Sequence, residues 1–590
     1  MIKLTIDDRE IEVPEGTTVL SAAKTAGIDI PTLCFLENVH SEGICRMCLV
    51  EVDGRPNLLA SCVLKAANGM KIKTNTPKIL RSRKTALELI LSRHVQDCLR
   101  CERNVNCELQ ALAGQLGVDS FRFSEDIKDR IIDDSSYSIV RDSGKCILCR
   151  RCVSACQEIQ TVHTIGVIGR GIKSLISPAF NIMGNAVCVN CGQCSAVCPV
   201  NAIYEKDEIK AVEKALRDPD KFVVVQTAPA IRAALGETQG LPPGTCVTKK
   251  MTTALRSLGF DAIFDTNFSA DLTIMEEGTE LLNRLKKVIL DKDQNVKLPM
   301  TTSCSPGWVK FLEHYFPKLT DNVSTAKSPQ QMMGAVVKTY YAKNKNIDPK
   351  NIVVVSIMPC TAKKFEARRP EMFSSGFQDV DYVLTTRELG KMLNKNGINL
   401  KNLPDSDFDD PLGKSTGAAD IFANSGGVTE AALRTVYEIV TGRELPSENL
   451  HVKDLMDIEG VREISLTFDN CLPEYSWLNG VKANVAVASG LKNARYLMEK
   501  VEAGTAPYHF IEIMCCPGGC IGGGGQPRMT TDEIRRLRFK AIKTEDEGRL
   551  LRKSHENPSI KEIYEKFLGK PNSELSHKLL HTKYTKRNIY

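Results

Sequence analysis

Two cysteine runs constrain this chain more than any other feature. Cys146-x2-Cys149-x2-Cys152-x3-Cys156 is followed by Cys188-x2-Cys191-x2-Cys194-x3-Cys198-Pro199. Thiolates at this spacing wrap cubane clusters, and in the two-cluster arrangement the fourth cysteine of each run ligates the other cluster. One 4Fe–4S cluster is therefore expected on Cys146, Cys149, Cys152 and Cys198, and a second on Cys156, Cys188, Cys191 and Cys194. A chain that folds around two such centres at residues 138–207 has a ferredoxin-like domain there, whatever surrounds it.

The remaining cysteines extend the pattern. The chain has 590 residues and 22 cysteines, 15 of them before residue 200. Tight C-x2-C repeats in so long a chain read as metal sites rather than a disulfide framework. Residues 1–78 open with two alternating runs around Asp7-Asp8, a hairpin signal, and continue into a helix whose Val19, Leu20, Ala23 and Ala26 share a face. Cys34, Cys45, Cys48 and Cys62 follow, a spacing close to that of plant-type 2Fe–2S proteins with a longer first gap. The expectation is a β-grasp 2Fe–2S domain. Residues 79–118 carry His94, Cys98, Cys101 and Cys107. One histidine and three cysteines suit either zinc or a 4Fe–4S cluster tuned by an imidazole ligand, and the neighbouring clusters favour the latter.

From residue 216 to 590 the texture changes. KFVVVQTAPAIRAALG, NIVVVSIMPC and KANVAVASG are apolar β-branched runs that end in turn or helix signals, as buried parallel strands of an α/β domain do. Some of the sparse later cysteines sit where such strands run into loops, the usual ligand position of open α/β sheets. Cys246 and Cys471 have no cluster context and read as plain buried thiols. Cys515-Cys516-Pro-Gly-Gly-Cys520 leads into Gly522–Gly525, and glycines let backbone approach a bulky inorganic group. The last 60 residues are charge-rich and helical in pattern, and are expected to wrap the large domain. The fold class is thus multidomain α+β and α/β.

No stretch reaches the ~20 apolar residues of a membrane span, and the charged, strand-like start is not that of a signal peptide. A cytoplasmic location in a reducing cell is expected. The net charge of +6 is too diffuse for nucleic acid but suits weak docking of an acidic electron carrier. Gly522–Gly525 is no G-x-G-x-x-G fingerprint, so a nicotinamide or flavin link would need partner subunits.

Three stretches then align with one family. Thr302-Ser-Cys304-Ser-Pro-Gly-Trp308, Met358-Pro-Cys360-Thr-Ala-Lys363-Lys-Phe-Glu366 and the Cys516–Cys520 stretch together resemble the three signatures of the iron-only (FeFe) hydrogenases, which interconvert protons, electrons and H2. The resemblance covers the whole chain. It is to the large clostridial type and to catalytic subunits of NAD(P)-linked complexes. It implies one 2Fe–2S cluster, three accessory 4Fe–4S clusters and an H-cluster, a cubane joined to a diiron unit bearing CO, cyanide and a dithiolate. Cys360, Cys516 and Cys520 match cubane ligands, and Lys363 matches a donor to a cyanide. Met358, Met514, Ala228, Pro229, Ser328 and Gln330 match the lining of the diiron unit. Cys304, Glu277, Ser324, Glu280 and Arg284 match a proton relay. Implied partners are ferredoxin or flavin- and NAD(P)-binding subunits, together with the enzymes that mature the diiron unit.

One position departs from the family. The first signature most often reads T-S-C-C-P, the second cysteine being the fourth cubane ligand, and here that position is Ser305. Either the serine oxygen ligates or Cys304 is drawn into the role. The competing functions are the electron-input subunit of a complex I-like dehydrogenase, a non-enzymatic iron–sulfur assembly relative, and a hydrogen sensor. The first has no need of the second and third signatures. The second loses residues around the diiron unit that Lys363, Met358 and Met514 here supply. The third typically alters the relay cysteine and carries a signalling domain.

Overall fold

The computed structural model describes residues 1–119, 122–123, 130–446 and 460–588. The first domain begins with the expected hairpin. Strands Ile2–Ile6 and Arg9–Val13 pair antiparallel across Asp7 and Asp8, both at positive φ. Ile2–Ile6 also pairs parallel with Lys71–Lys73, and Leu49–Val52 and Leu59–Ala60 complete a five-stranded sheet. Helix Val19–Thr25, capped by the Thr18 hydroxyl, buries Val19, Leu20, Ala22 and Ala23 in that domain's core. A longer helix, Pro77–Leu91, starts with proline at its first turn and carries the chain onward to His94.

The doubled cysteine runs have one backbone solution used twice. Leu148 and Arg150 lie at φ 55° and 63°, and Asn190 and Gly192 at 63° and 72°. Both runs therefore bend at matching positions, which turns successive amides towards the enclosed thiols. The N–H of Leu148 donates to Cys146 Sγ and that of Asn190 to Cys188 Sγ, each at 3.4 Å. Non-glycine residues in this region are costly unless the surroundings enforce them. Strands Ile132–Asp133, Ile139–Asp142 and Ile203–Glu205 form the small sheet beneath.

The large domain holds two four-stranded sheets. In the first, Ala262–Asp265, Phe222–Thr227, Ile352–Met358 and Tyr382–Thr385 lie side by side, all parallel. Val223, Val224 and Val225 are buried, as expected for a sheet covered on both faces. The second sheet orders Met300–Thr301, Phe510–Met514, Lys482–Ser489 and Val461–Thr467. Its first three strands are parallel, but Lys482–Ser489 meets Val461–Thr467 antiparallel, so the KANVAVASG run sits in a mixed sheet. The closing segment wraps the domain as expected. Ile560, Ile563, Leu579 and Leu580 join the main core, and buried Arg538 ties the segment inward through Glu237 and the Ile521 carbonyl.

Two expectations are corrected. Cys246 is exposed and Cys471 half-buried, so neither is a core thiol; Cys246 Sγ reaches the Ala541 carbonyl at 3.8 Å, and Cys471 packs only against the edge of an apolar cluster. Most of the glycine run is not a wall against a cluster. A Cβ on Gly524 would come within 2.1 Å of the Cys191 carbonyl, and one on Gly523 within 2.2 Å of the Pro359 carbonyl. The glycines are required because three loops press backbone against backbone there. Among the described residues no helix is long and apolar enough to cross a membrane.

Candidate active site

The three sequence signatures converge because each follows a parallel strand. Cys304 lies just past Met300–Thr301, Cys360 just past Ile352–Met358 and Cys515 just past Phe510–Met514, while Ala228 and Pro229 follow Phe222–Thr227. Carboxyl ends of strands from both sheets thus open onto one cleft. The loops are stitched together: Thr302 N–H donates to the Ile511 carbonyl, and Ile513 N–H to Thr302 Oγ1 at 3.0 Å. The buried Trp308 indole returns to the Thr302 carbonyl.

A cavity of about 80 Å³ lies at this junction. Cys304, Cys360, Cys516 and Cys520 line it, with Met358, Met514, Ala228 and Pro229 among its apolar wall. Lys363 projects into it from the short helix Ala362–Glu366; its ammonium donates to the Cys304 carbonyl and to Glu366 Oε2, each at 3.0 Å. Gln330 lines the cavity. Ser328 stands behind it, and both give hydrogen bonds to Glu366. Glu366 therefore organises the lysine end of the site, a role its place in the second signature did not reveal. Thr266 and Phe422 complete the wall and carried no sequence signal.

The donor set fits an iron–sulfur centre. Burial pushes the Cys520 thiol up to about 12 and raises Cys360 and Cys304 as well, Lys363 opposing the shift at each. Crowded thiols in a dry pocket become thiolates when a metal takes the proton's place. Lys363 supplies a cationic donor where an anionic ligand would lie.

At Ser305 the structure places a residue not foreseen. Ser305 lines the cavity, and its Oγ accepts from the Cys515 N–H at 3.2 Å. Cys515 lines the same cavity, is buried, and turns its thiol to those of Cys516 and Cys191. Gly307 is a glycine because a Cβ there would lie 2.6 Å from Cys515 Sγ. A thiol thus stands beside the serine, supplied by the neighbouring strand. An extra cysteine directly before Cys516 was the only signal available, and only strand pairing says where it points.

The accessory sites surround a path to this cavity. Cys146, Cys149, Cys152 and Cys198 line one small cavity; Cys156, Cys188, Cys191 and Cys194 line another. In the first domain Cys48 and Cys62 are 3.4 Å apart, and Cys34 hydrogen-bonds Cys45. All four are buried. His94 Nδ1 lies 3.0 Å from the Lys145 carbonyl, which leaves Nε2 as the nitrogen that could hold a metal. Cys101 and Cys107 are half-buried, and Cys98 is exposed.

The relay residues also gather. Glu277 and Glu280 lie on helix Thr266–Ile289 and are buried, not on a helix surface. Burial pushes Glu277 up to about 8, reinforced by Glu280. Among the described residues its Oε1 has no hydrogen-bond partner. Ser324 Oγ donates to Glu280 Oε2 at 2.9 Å, and Arg284 grips Glu280 Oε1 through Nη2 at 2.7 Å.

A family description, "Iron only hydrogenase large subunit, C-terminal domain", matches residues 221–524, just over half the chain. The chain belongs to the iron-only hydrogenases. Other regions match a "2Fe-2S iron-sulfur cluster binding domain" (1–77), an "NADH-ubiquinone oxidoreductase-G iron-sulfur binding region" (83–122), a "4Fe-4S binding domain" (185–204) and "Iron hydrogenase small subunit" (532–587). It is similar to the NADP-reducing hydrogenase subunit HndD of Solidesulfovibrio fructosivorans, 52% identical over 100% of this chain and 99% of that one. It is 39% identical to iron hydrogenase 1 of Clostridium pasteurianum over 99% of this chain and 100% of that one. An FeFe-hydrogenase structure from Chlamydomonas reinhardtii covers 65% of this chain and 99% of its own, with 44% identity and TM-score 0.57. Hydrogenase chemistry, iron–sulfur binding and the mixed multidomain fold are thereby the properties of this chain.

Proposed function

We propose that this hydrogenase exchanges electrons with flavin- and NAD(P)-binding partner subunits, or with ferredoxin, through four accessory clusters. The observation that carries the reading is the run of cysteine-lined sites ending where Cys515 meets both Cys191 and Cys516. The full-length likeness to an NADP-reducing hydrogenase subunit supports the choice of partner. When bound, the six-iron centre supplies the metals at which protons and electrons interconvert with H2. The protein residues hold it and move protons. Cys360, Cys516 and Cys520 are assigned as cubane thiolates, with Cys515 as the fourth in place of Ser305. Lys363 neutralises and orients an anionic ligand. Cys304 holds the proton nearest the centre, Glu277 supplies it as a neutral acid, and Ser324 and Glu280 connect it outward, Arg284 anchoring Glu280 at the rim.

Iron counting tests the inventory. One 2Fe–2S cluster, three accessory 4Fe–4S clusters and a six-iron centre amount to about 20 iron atoms. Protein made without the diiron maturation enzymes should hold about two fewer and be inactive; full activity from such a host would sink the assignment. Purification from the native cell should bring down flavin- and NAD(P)-binding subunits. Recovery of the chain alone, active only with ferredoxin, would remove the nucleotide link.

The His94 site is assigned to electron exchange with partners, since Cys98 brings it to the surface. His94→Cys replaces a neutral ligand by an anionic one and should lower that cluster's potential. Carrier-dependent turnover should change while H/D exchange persists. Stoichiometric zinc at this site would refute the assignment.

A further inference from the structure

The outer end of the proton relay poses a chemical problem. Glu280 Oε1 is held by Arg284, whose guanidinium also donates to the carbonyls of Asp321 at 2.8 Å, Val323 at 3.0 Å and Lys297 at 3.3 Å. A guanidinium does not release its proton in the working pH range. Arg284 can anchor Glu280 and set its charge, but it cannot hand protons on.

The other carboxylate oxygen has a second neighbour. Thr325 donates to Glu280 Oε2 through its N–H at 3.0 Å and lies 3.3 Å away through Oγ1. The same hydroxyl is 2.8 Å from His581 Nδ1. The opposite nitrogen, Nε2, is 3.0 Å from Glu276 Oε2. Glu276 is fully buried and receives donors from Tyr564 (2.5 Å), Asn572 N–H (2.8 Å) and Ser576. Burial pushes its carboxyl up, but hydrogen bonds from His581 first, then Ser576, Tyr564 and the Asn572 N–H hold it below the usual range. His581 is thus a nearly buried imidazole set between a relay hydroxyl and a fixed carboxylate.

Backbone pairing enforces the placement. Ala326 and His581 form an antiparallel bridge; Lys327 N–H donates to the Leu580 carbonyl at 2.7 Å and Thr582 N–H to the Thr325 carbonyl at 2.8 Å. Exposed His577 stacks on the His581 ring at 4.0 Å. The titratable groups facing His581 are Glu276 and Glu280 from the long helix, Tyr564 behind Glu276, and His577 from its own helix.

We infer that His581 and Glu276 form a proton-holding branch of the relay, coupled to Glu280 through the Thr325 hydroxyl. The inference rests on the relay proposed above and adds to it. Making H2 consumes two protons, and one carboxyl group carries one at a time. In the supply direction Thr325 Oγ1 takes a proton from His581 Nδ1 as its own hydroxyl proton passes to Glu280 Oε2. The imidazolium becomes imidazole and the carboxylate becomes a carboxylic acid. The reverse hop reloads His581 when solvent next protonates Glu280. Glu276 Oε2 keeps its hydrogen bond to Nε2 throughout and so holds the ring in register with Thr325.

Thr325→Val removes the hydroxyl link and leaves the His581–Glu276 pair in place. Dye-driven H2 evolution should fall about fivefold, short of the ~10²-fold expected for a group acting at the reacting atoms. The loss should grow towards alkaline pH, where solvent protons arrive most slowly. Thr325→Ser should recover the wild-type profile, and His581→Ala should regain activity with added imidazole. Thermal melting separates folding damage from relay loss, because Thr325→Val should melt as the parent does. An unchanged pH profile in Thr325→Val, or a Ser variant as poor as Val, overturns the branch. Glu277→Gln, run in parallel, tests the relay itself: if that variant is also silent, the relay fails, and if Thr325→Val alone is silent, only the branch does.

Discussion

Cys515→Ala is expected to strip the active-centre cubane of a protein ligand and take the attached diiron unit with it. Iron should fall from about 20 to about 14 atoms, with loss of the six-iron centre's paramagnetic signal and of H2 turnover. The accessory signals should remain, because their cysteines line other cavities. Ser305 Oγ sits against the Cys515 amide, so the two positions address the same corner of the site. The double variant Ser305→Cys/Cys515→Ala should therefore recover both iron and activity, moving the thiolate from one strand to its neighbour. Cys304→Ala should keep all the iron and lose turnover. If Cys515→Ala keeps its full iron while Ser305→Ala loses it, serine is the ligand. If Cys304→Ala loses the cubane, the relay cysteine has been drawn into ligation.

Glu277→Gln is expected to lower H2 evolution by about 10²-fold or more with iron content unchanged, the scale of losing a positioned acid. Burial holds Glu277 neutral up to about 8, so at pH 7 it carries the proton that Cys304 receives. H2 evolution by the parent enzyme should decline as pH rises through about 8, and this limb should disappear in the Gln variant. The sign for stability is the same. The folded protein keeps a proton that the unfolded chain releases near the ordinary 4.5, so this group's contribution is full below 4.5 and is lost as pH rises through about 8. Gln removes that dependence. A variant with unaltered turnover would remove Glu277 from the relay.

What could be read in advance depended on how local the chemistry was. The doubled C-x2-C-x2-C-x3-C runs carry their geometry in their spacing, so the sets that line the two accessory cavities were assignable from residue numbers alone. The hairpin around Asp7-Asp8 was local for the same reason. Family likeness located Cys304, Lys363 and Glu277, which pattern alone would not: two glutamates three apart on a polar helix look like a solvated face. They are buried because other segments close over that helix, among them the one carrying Tyr564, His581 and Tyr584. Cys515 was visible as a residue and not as a participant. Its direction is set by pairing between strands more than two hundred positions apart, information no window of sequence contains. The glycine run was read correctly as close approach, though most of what approaches it is other backbone, with Gly523 alone of the run lining the cavity.

The closing segment lends the active centre more than cover. Residues 580–582 pair with 325–327, Tyr584 donates to the Ser324 carbonyl, and Arg587 N–H to that of Glu313. A protein emerges from the ribosome in order, and domains fold as they become available. Cys304, Glu280 and Ser324 are all synthesised long before the segment that immobilises their surroundings. A growing chain can therefore gather its accessory clusters early while its catalytic pocket remains without its outer brace. A chain cut short before residue 580 would lack these pairings around Ser324 and Thr325. Assembly order thus sets the brace in place after the residues it holds.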